Sequence, residues 1–276
     1  MVSGREVTRP DRVGVRRGQG RVWRELALLA GVYLLYTQTR LLAAGSHQQA
    51  VSNARGVLRA ERGLGVAPER WLNQMFSTRD YLAIPSDYAY ASLHYVVTLA
   101  VVIWLWRAHP GAYLASRRTL VAATLIALLG YWLLPLAPPR MLPGFVDTMA
   151  RYSDYGWWGS SASAPKGLGS LTNELAAMPS LHVGWAIWCG WQIGRHARHR
   201  ISRAFGIGYP IVALVVVIGT GNHYLADAVA GLLVLLVGAA VTRSASLLWH
   251  RFHSAAQSVC GGGTTTTAQV ACATQR

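Results

Sequence analysis

Six apolar runs divide this chain, and arginines stand between most of them. They cover approximately residues 26–44, 88–106, 120–136, 182–194, 205–220 and 225–241. A helix needs about 20 apolar residues to cross the hydrocarbon core of a bilayer. Within lipid every backbone N–H and C=O must be satisfied inside the protein, which leaves helices as the solution for separate runs of this length. The pattern therefore predicts an all-α polytopic membrane protein, a bundle of six transmembrane helices. The run at 182–194 reaches spanning length only if Met178-Pro179-Ser180 begins it. Only 13% of the residues are charged, against about a quarter in soluble domains.

The formal net charge of +15 comes almost wholly from arginine. Those arginines lie between apolar runs rather than on one face, so anionic headgroups and membrane topology explain them, and nucleic acid is not an expected partner. Six spans put both termini on one side. With residues 1–24 cytoplasmic, the basic turns 107–118 and 195–203 and the region of Arg243 and Arg251 are cytoplasmic too. Arg55, Arg59, Arg62, Arg70 and Arg79 depart from the rule. This count places His182, His223 and the loop 137–177 on the outer face of a plasma membrane.

Three regions follow: a basic segment 1–24, a membrane domain 25–250 and a disordered polar tail 251–276. The basic start and first apolar run also have the form of a secretory signal, but Thr37-Gln38-Thr39-Arg40 stands where a cleavage site belongs. A retained first span is expected. Within 46–87, Ala50, Ala54, Val57, Leu58 and Leu64 recur at helical spacing, with Arg55, Arg59, Glu61 and Arg62 assigned to the other side. That describes an amphipathic helix, either lying on the membrane surface or packed on the bundle. Cys189, Cys260 and Cys272 have neither metal-ligand spacing nor a disulfide pattern.

The chemistry gathers between Met178 and Ala230. Asp227 is the sole acidic residue after Glu174, and it follows His223 by four positions. An ionisable residue inside an apolar segment is a functional candidate by default. One helical turn, about 6 Å, separates the pair along one face. Asp227 is placed to fix the imidazole tautomer and leave the other nitrogen as nucleophile or base. His182, from another span, faces it as an acid for a leaving oxygen, a division of labour that suits displacement at phosphorus. Ser180 is placed to cap the fourth helix and present its N–H groups to phosphate. Arg140, within Pro138-Pro139-Arg140-Met141-Leu142-Pro143, is the candidate phosphate clamp. Lys166, the one lysine in the chain, is a weaker candidate. His94 and Arg40 either line the pocket or bond within the bundle. Each residue alone also fits a structural role, and two histidines with a carboxylate can bind a metal ion. The phosphate clamp favours a site with no metal and no cofactor.

Pro179-Ser180-Leu181-His182 and His223-Tyr224-Leu225-Ala226-Asp227 resemble the second and third signature motifs of the type-2 phosphatidic acid phosphatase superfamily. The resemblance implies a six-helix bundle and a metal-free phosphohistidine mechanism. His223 would be the nucleophile, Asp227 its orienting partner and His182 the acid. Pro138-Pro139-Arg140, Ala177-Met178 and Thr220-Gly221-Asn222 look like the inositol phosphorylceramide synthase-like branch. Val217 stands where the phosphatase pattern has arginine, Leu181 where it has glycine, and the first motif is replaced by Arg140 alone. These departures point toward transfer of a phosphoryl-containing group from a lipid phosphate ester to an alcohol. Release to water, and a non-catalytic lipid-binding protein, are the alternatives.

Overall fold

The computed structural model describes residues 46–159, 166 and 174–261, with scattered positions between 23 and 38. Most of the expected first span, Arg40 and residues 262–276 lie outside the described residues. The elements in order are α1 (His47–Gly63), α2 (Glu69–Ser77), α3 (Asp80–Tyr88), a π-helical turn (Ala89–Leu93), α4 (His94–Ala108) and α5 (Pro110–Leu133). After two short 3₁₀ turns flanking α6 (Thr148–Arg151) come α7 (Leu181–His196), α8 (Arg200–Gly219) and α9 (Leu225–Gly261). The described residues contain no strand beyond an isolated bridge between Leu136 and Ala176.

Four helical stretches are long and apolar enough to cross a membrane: Asp80–Ala108, Pro110–Leu133, Arg200–Gly219 and Leu225–Trp249. Their outward faces carry exposed Leu99, Leu125, Leu129, Ile207, Ile211, Leu233 and Leu236. A continuous apolar exterior of this extent suits lipid rather than water. The fourth apolar run forms α7, which at 16 residues is shorter than those four stretches. It lies at the centre, against α4, α5, α8 and α9. Its buried Ala186, Trp188 and Cys189 pack with Val101, Leu105, Tyr113 and Tyr209.

Several boundaries differ from expectation. Residues 107–118 are not a loop. Helix α5 starts at Pro110, directly after His109, and carries Arg117 and Arg118 in its second and third turns. Proline at the first helical position loses no hydrogen bond, which permits so sharp a restart. Arg117 and the Tyr113 hydroxyl both bond to Glu25. At the other end α9 continues to Gly261, into the segment read as tail. Ala255, Ala256 and Gln257 are good helix formers and no proline interrupts them.

Residues 46–87 fold as α1, α2 and α3. Ser46 caps α1 by accepting the Gln49 N–H at 3.4 Å. The helix buries Ala50, Ala54 and Leu58 against Leu136, Ala137, Leu142 and Tyr224. Its apolar stripe therefore meets protein, as in the packed-helix alternative. Leu64 is exposed beyond the helix end, and Glu61, assigned to the polar side, is buried. The spacing explains the correction, because Ala54, Leu58 and Glu61 lie at i, i+4 and i+7 on one face.

Candidate active site

The start of α7 and the start of α9 meet at one end of the bundle. Ser180 is the N-cap of α7, its Oγ accepting the Val183 N–H at 3.4 Å. Its own N–H donates to the Asp227 carbonyl at 2.9 Å. Such proximity needs a residue without a side chain on α9, and Gly231 supplies it: a Cβ there would stand 2.4 Å from the Ser180 carbonyl oxygen. His182 and His223 are thereby brought together, with ring centroids 5.5 Å apart.

The turn before α9 is tied down on every side. The N–H groups of Asn222 and His223 both donate to the Val217 carbonyl, at 3.0 and 3.1 Å. Gly221 has φ +74°, and a Cβ there would meet Asn73 Nδ2 and the Val146 carbonyl at 3.0 and 3.1 Å. Asn73 of α2 donates to the carbonyls of Val146 and Gly219 and accepts the Val146 N–H. One amide side chain thus joins the segment around Val146 to the α8–α9 turn.

Asp227 is fully buried. Its Oδ2 accepts the Tyr224 N–H at 2.9 Å and lies 3.2 Å from His223 Nδ1. With Tyr224 as N-cap, Asp227 occupies the third helical position and bonds back to the cap, half of a capping box. The same oxygen selects the His223 tautomer with its proton on Nδ1 and its lone pair on Nε2. Tyr224 has no acceptor to offer the next N–H groups. Two residues the sequence reading did not select serve them: Glu69 Oε1 accepts from Leu225 at 2.9 Å and Glu61 Oε1 from Ala226 at 2.7 Å. Negative charge at this helix end also meets the positive end of the macrodipole.

His182 is half-buried, and Tyr90 stacks on its ring at 4.4 Å between centroids, with 15° between the planes. His94 lies against it at 4.0 Å. Tyr90 and His94 come from the π-helical turn and the residue after it. A π turn shifts side-chain register and is frequent at functional sites, which is why helical periodicity did not single out Tyr90. A small cavity of about 20 Å³ is lined by Tyr90, His94, His182, Val216 and Val217. Its α8 wall is apolar where the phosphatase pattern would set an arginine.

Arg140 reaches this turn, but with its side chain already engaged. Its N–H donates to the Gly221 carbonyl at 2.9 Å, Nη1 bonds to Asn222 Oδ1, and Nε pairs with Asp147 at 3.2 Å. Lys166 is exposed in the loop 137–177, its N–H donating to the Trp157 carbonyl at 2.9 Å. Among the described residues no bond links Lys166 to the histidines, and no group of three or more His, Cys, Asp or Glu side chains is arranged to hold a metal ion. Replacing Arg140 with alanine is expected to lower turnover roughly 10²-fold, the scale of losing one group that stabilises developing charge. Lys166→Ala should stay within about twofold, as a surface change does. Initial rates on the two purified variants test both.

The chain is thus a helical membrane protein with two histidines and a carboxylate converging at one end of its bundle. The PAP2 superfamily matches residues 55–241, more than half of the sequence, and the chain belongs to that superfamily. Its members are generally phosphatases acting on phosphate esters, and membership suggests lipid phosphatase or phosphotransferase activity. Comparisons with curated proteins and with solved structures return no match.

Proposed function

We propose that this chain is a six-span plasma-membrane phosphotransferase of the inositol phosphorylceramide synthase-like branch, acting on a lipid phosphate ester at the outer face. His223 Nε2 attacks phosphorus, the P–O ester bond breaks, and His182 gives its proton to the departing oxygen. The phosphorus-containing group then rests on His223. An acceptor hydroxyl loses its proton to His182 and attacks phosphorus, and the P–N bond breaks. Asp227 holds the reactive tautomer throughout and stabilises the imidazole as it becomes cationic. Ser180 and Arg140 serve the phosphate, Ser180 through the α7 terminus and Arg140 by exchanging contacts with Asp147 and Asn222 for phosphate oxygens. The observation that carries the reading is the 3.2 Å His223–Asp227 contact with His182 facing it from a separate helix.

Val217 and the Pro138-Pro139-Arg140 element support an alcohol acceptor over water. The test is product analysis on purified protein in lipid. Phosphorus-labelled phosphatidylinositol and phosphatidic acid are supplied separately, each with and without a lipid alcohol. Label entering a new lipid only when alcohol is present is the expected result. Inorganic phosphate released from phosphatidic acid regardless of alcohol would make the enzyme a phosphatase.

A further inference from the structure

Glu61 and Glu69 reach the first turn of α9 from two different helices, and both are buried, with 4% and 0% of their surface exposed. Each uses Oε1 to accept one N–H of that turn. Written as two carboxylates, neither Oε2 has a hydrogen-bond donor, although the two side chains are within bonding reach of each other. Two adjacent buried negative charges are strongly unfavourable, and one of such a pair takes up a proton. A single shared proton supplies the missing donor, gives both Oε2 atoms a partner and halves the charge.

We propose that Glu61 and Glu69 form a hydrogen-bonded carboxyl–carboxylate pair that clamps the first turn of α9 and so positions His223 and Asp227. They are positioning residues, and their effect on turnover rests on the function proposed above. Glu61 holds the proton. Burial is the main cause, and Glu69 and Asp227 add to it against the pull of the Ala226 N–H, so its pKa rises from 4.5 to about 8. Tyr224, the residue before that turn, also faces the pair. Because the folded state binds this proton more tightly than the unfolded chain, stability declines as pH rises from 4.5 and is lost through about 8. Above that pH the clamp carries two negative charges and faces Asp227.

The test compares wild type, Glu61→Gln and Glu61→Ala in lipid nanodiscs, by melting temperature and by initial rate, from pH 6 to about 9.5. Glutamine keeps the bond from Ala226 on Oε1 and donates from Nε2 to Glu69 at every pH. It is expected to retain turnover near neutrality and to abolish the alkaline fall in melting temperature. Alanine is expected to lower kcat roughly 10- to 10²-fold, because small displacements of reacting groups are costly, with KM little changed. An alkaline fall in Glu61→Gln equal to that of wild type would overturn the pair, as would a Glu61→Gln loss at pH 7 as large as that of alanine. Melting reads the pair without substrate. A flat melting profile in Glu61→Gln with no phosphoryl transfer in any protein would therefore sink the proposed function and leave the clamp standing.

Discussion

Replacing His223 with alanine is expected to lower turnover by about 10⁴-fold or more, the scale seen when a nucleophile or its orienting partner is removed. No second group can replace it, since His182 enters from another helix with its ring stacked on Tyr90. Folding should survive. The backbone N–H of residue 223 still donates to Val217, and Asp227 still caps Tyr224. Asp227→Asn should be nearly as severe for a different reason. One atom, Oδ2, makes both contacts of Asp227. Asparagine with its carbonyl oxygen there keeps both bonds but loses the negative charge that stabilises the cationic imidazole. With its NH₂ there it loses the Tyr224 bond and favours the tautomer that protonates the attacking nitrogen. Initial rates, with melting temperatures near that of wild type, check both variants. Retained activity in both would eliminate the His223–Asp227 mechanism.

A single methyl group at Gly231 is expected to damage both packing and chemistry. The Cβ of Gly231→Ala would lie 2.4 Å from the Ser180 carbonyl oxygen, and a backbone atom cannot swing away as a side chain can. Helices α7 and α9 must separate, straining the Ser180–Asp227 backbone bond between them. Overpacking of this kind costs roughly 1–3 kcal/mol, so the melting temperature should drop measurably. The larger effect falls on chemistry. His182 and His223 stand on opposite sides of that contact, and a shift of about 1 Å in a reacting group can cost 10²-fold. Gly231→Ala is therefore expected to lose about 10²-fold in kcat. Unchanged rate and melting temperature would show that the close approach sets nothing.

His182, His223 and Asp227 were legible in the sequence because their signal is local: two short motifs, one with i, i+4 spacing. The topological count that set both histidines on one face needed only the apolar runs. What escaped depends on contacts between distant segments. Glu61 and Glu69 lie more than 150 positions before the N–H groups they serve, and Glu61 was assigned to the polar side although it follows Ala54 and Leu58 at i+7 and i+3 on the buried face. Asn73 belongs to no motif, and only the fold sets it between Val146 and Gly219. Tyr90 was hidden by the π turn. Arg140 was selected for its stiff proline-flanked setting, and the structure adds that Asp147 and Asn222 already engage it. The apolar runs did not show that α7, shorter than the four other long stretches, sits at the centre of the bundle, because that depends on its packing against α4, α5, α8 and α9.

The most direct measurement is a trapped intermediate. Purified protein in lipid is mixed with a donor labelled at phosphorus, quenched in alkali within the first turnover and mapped by peptide. An alkali-stable, acid-labile label on the peptide containing His223, absent from His223→Ala, is the predicted result. Turnover proceeding with no label on His223, or with label undiminished in His223→Ala, would contradict a phosphoryl group carried by that residue.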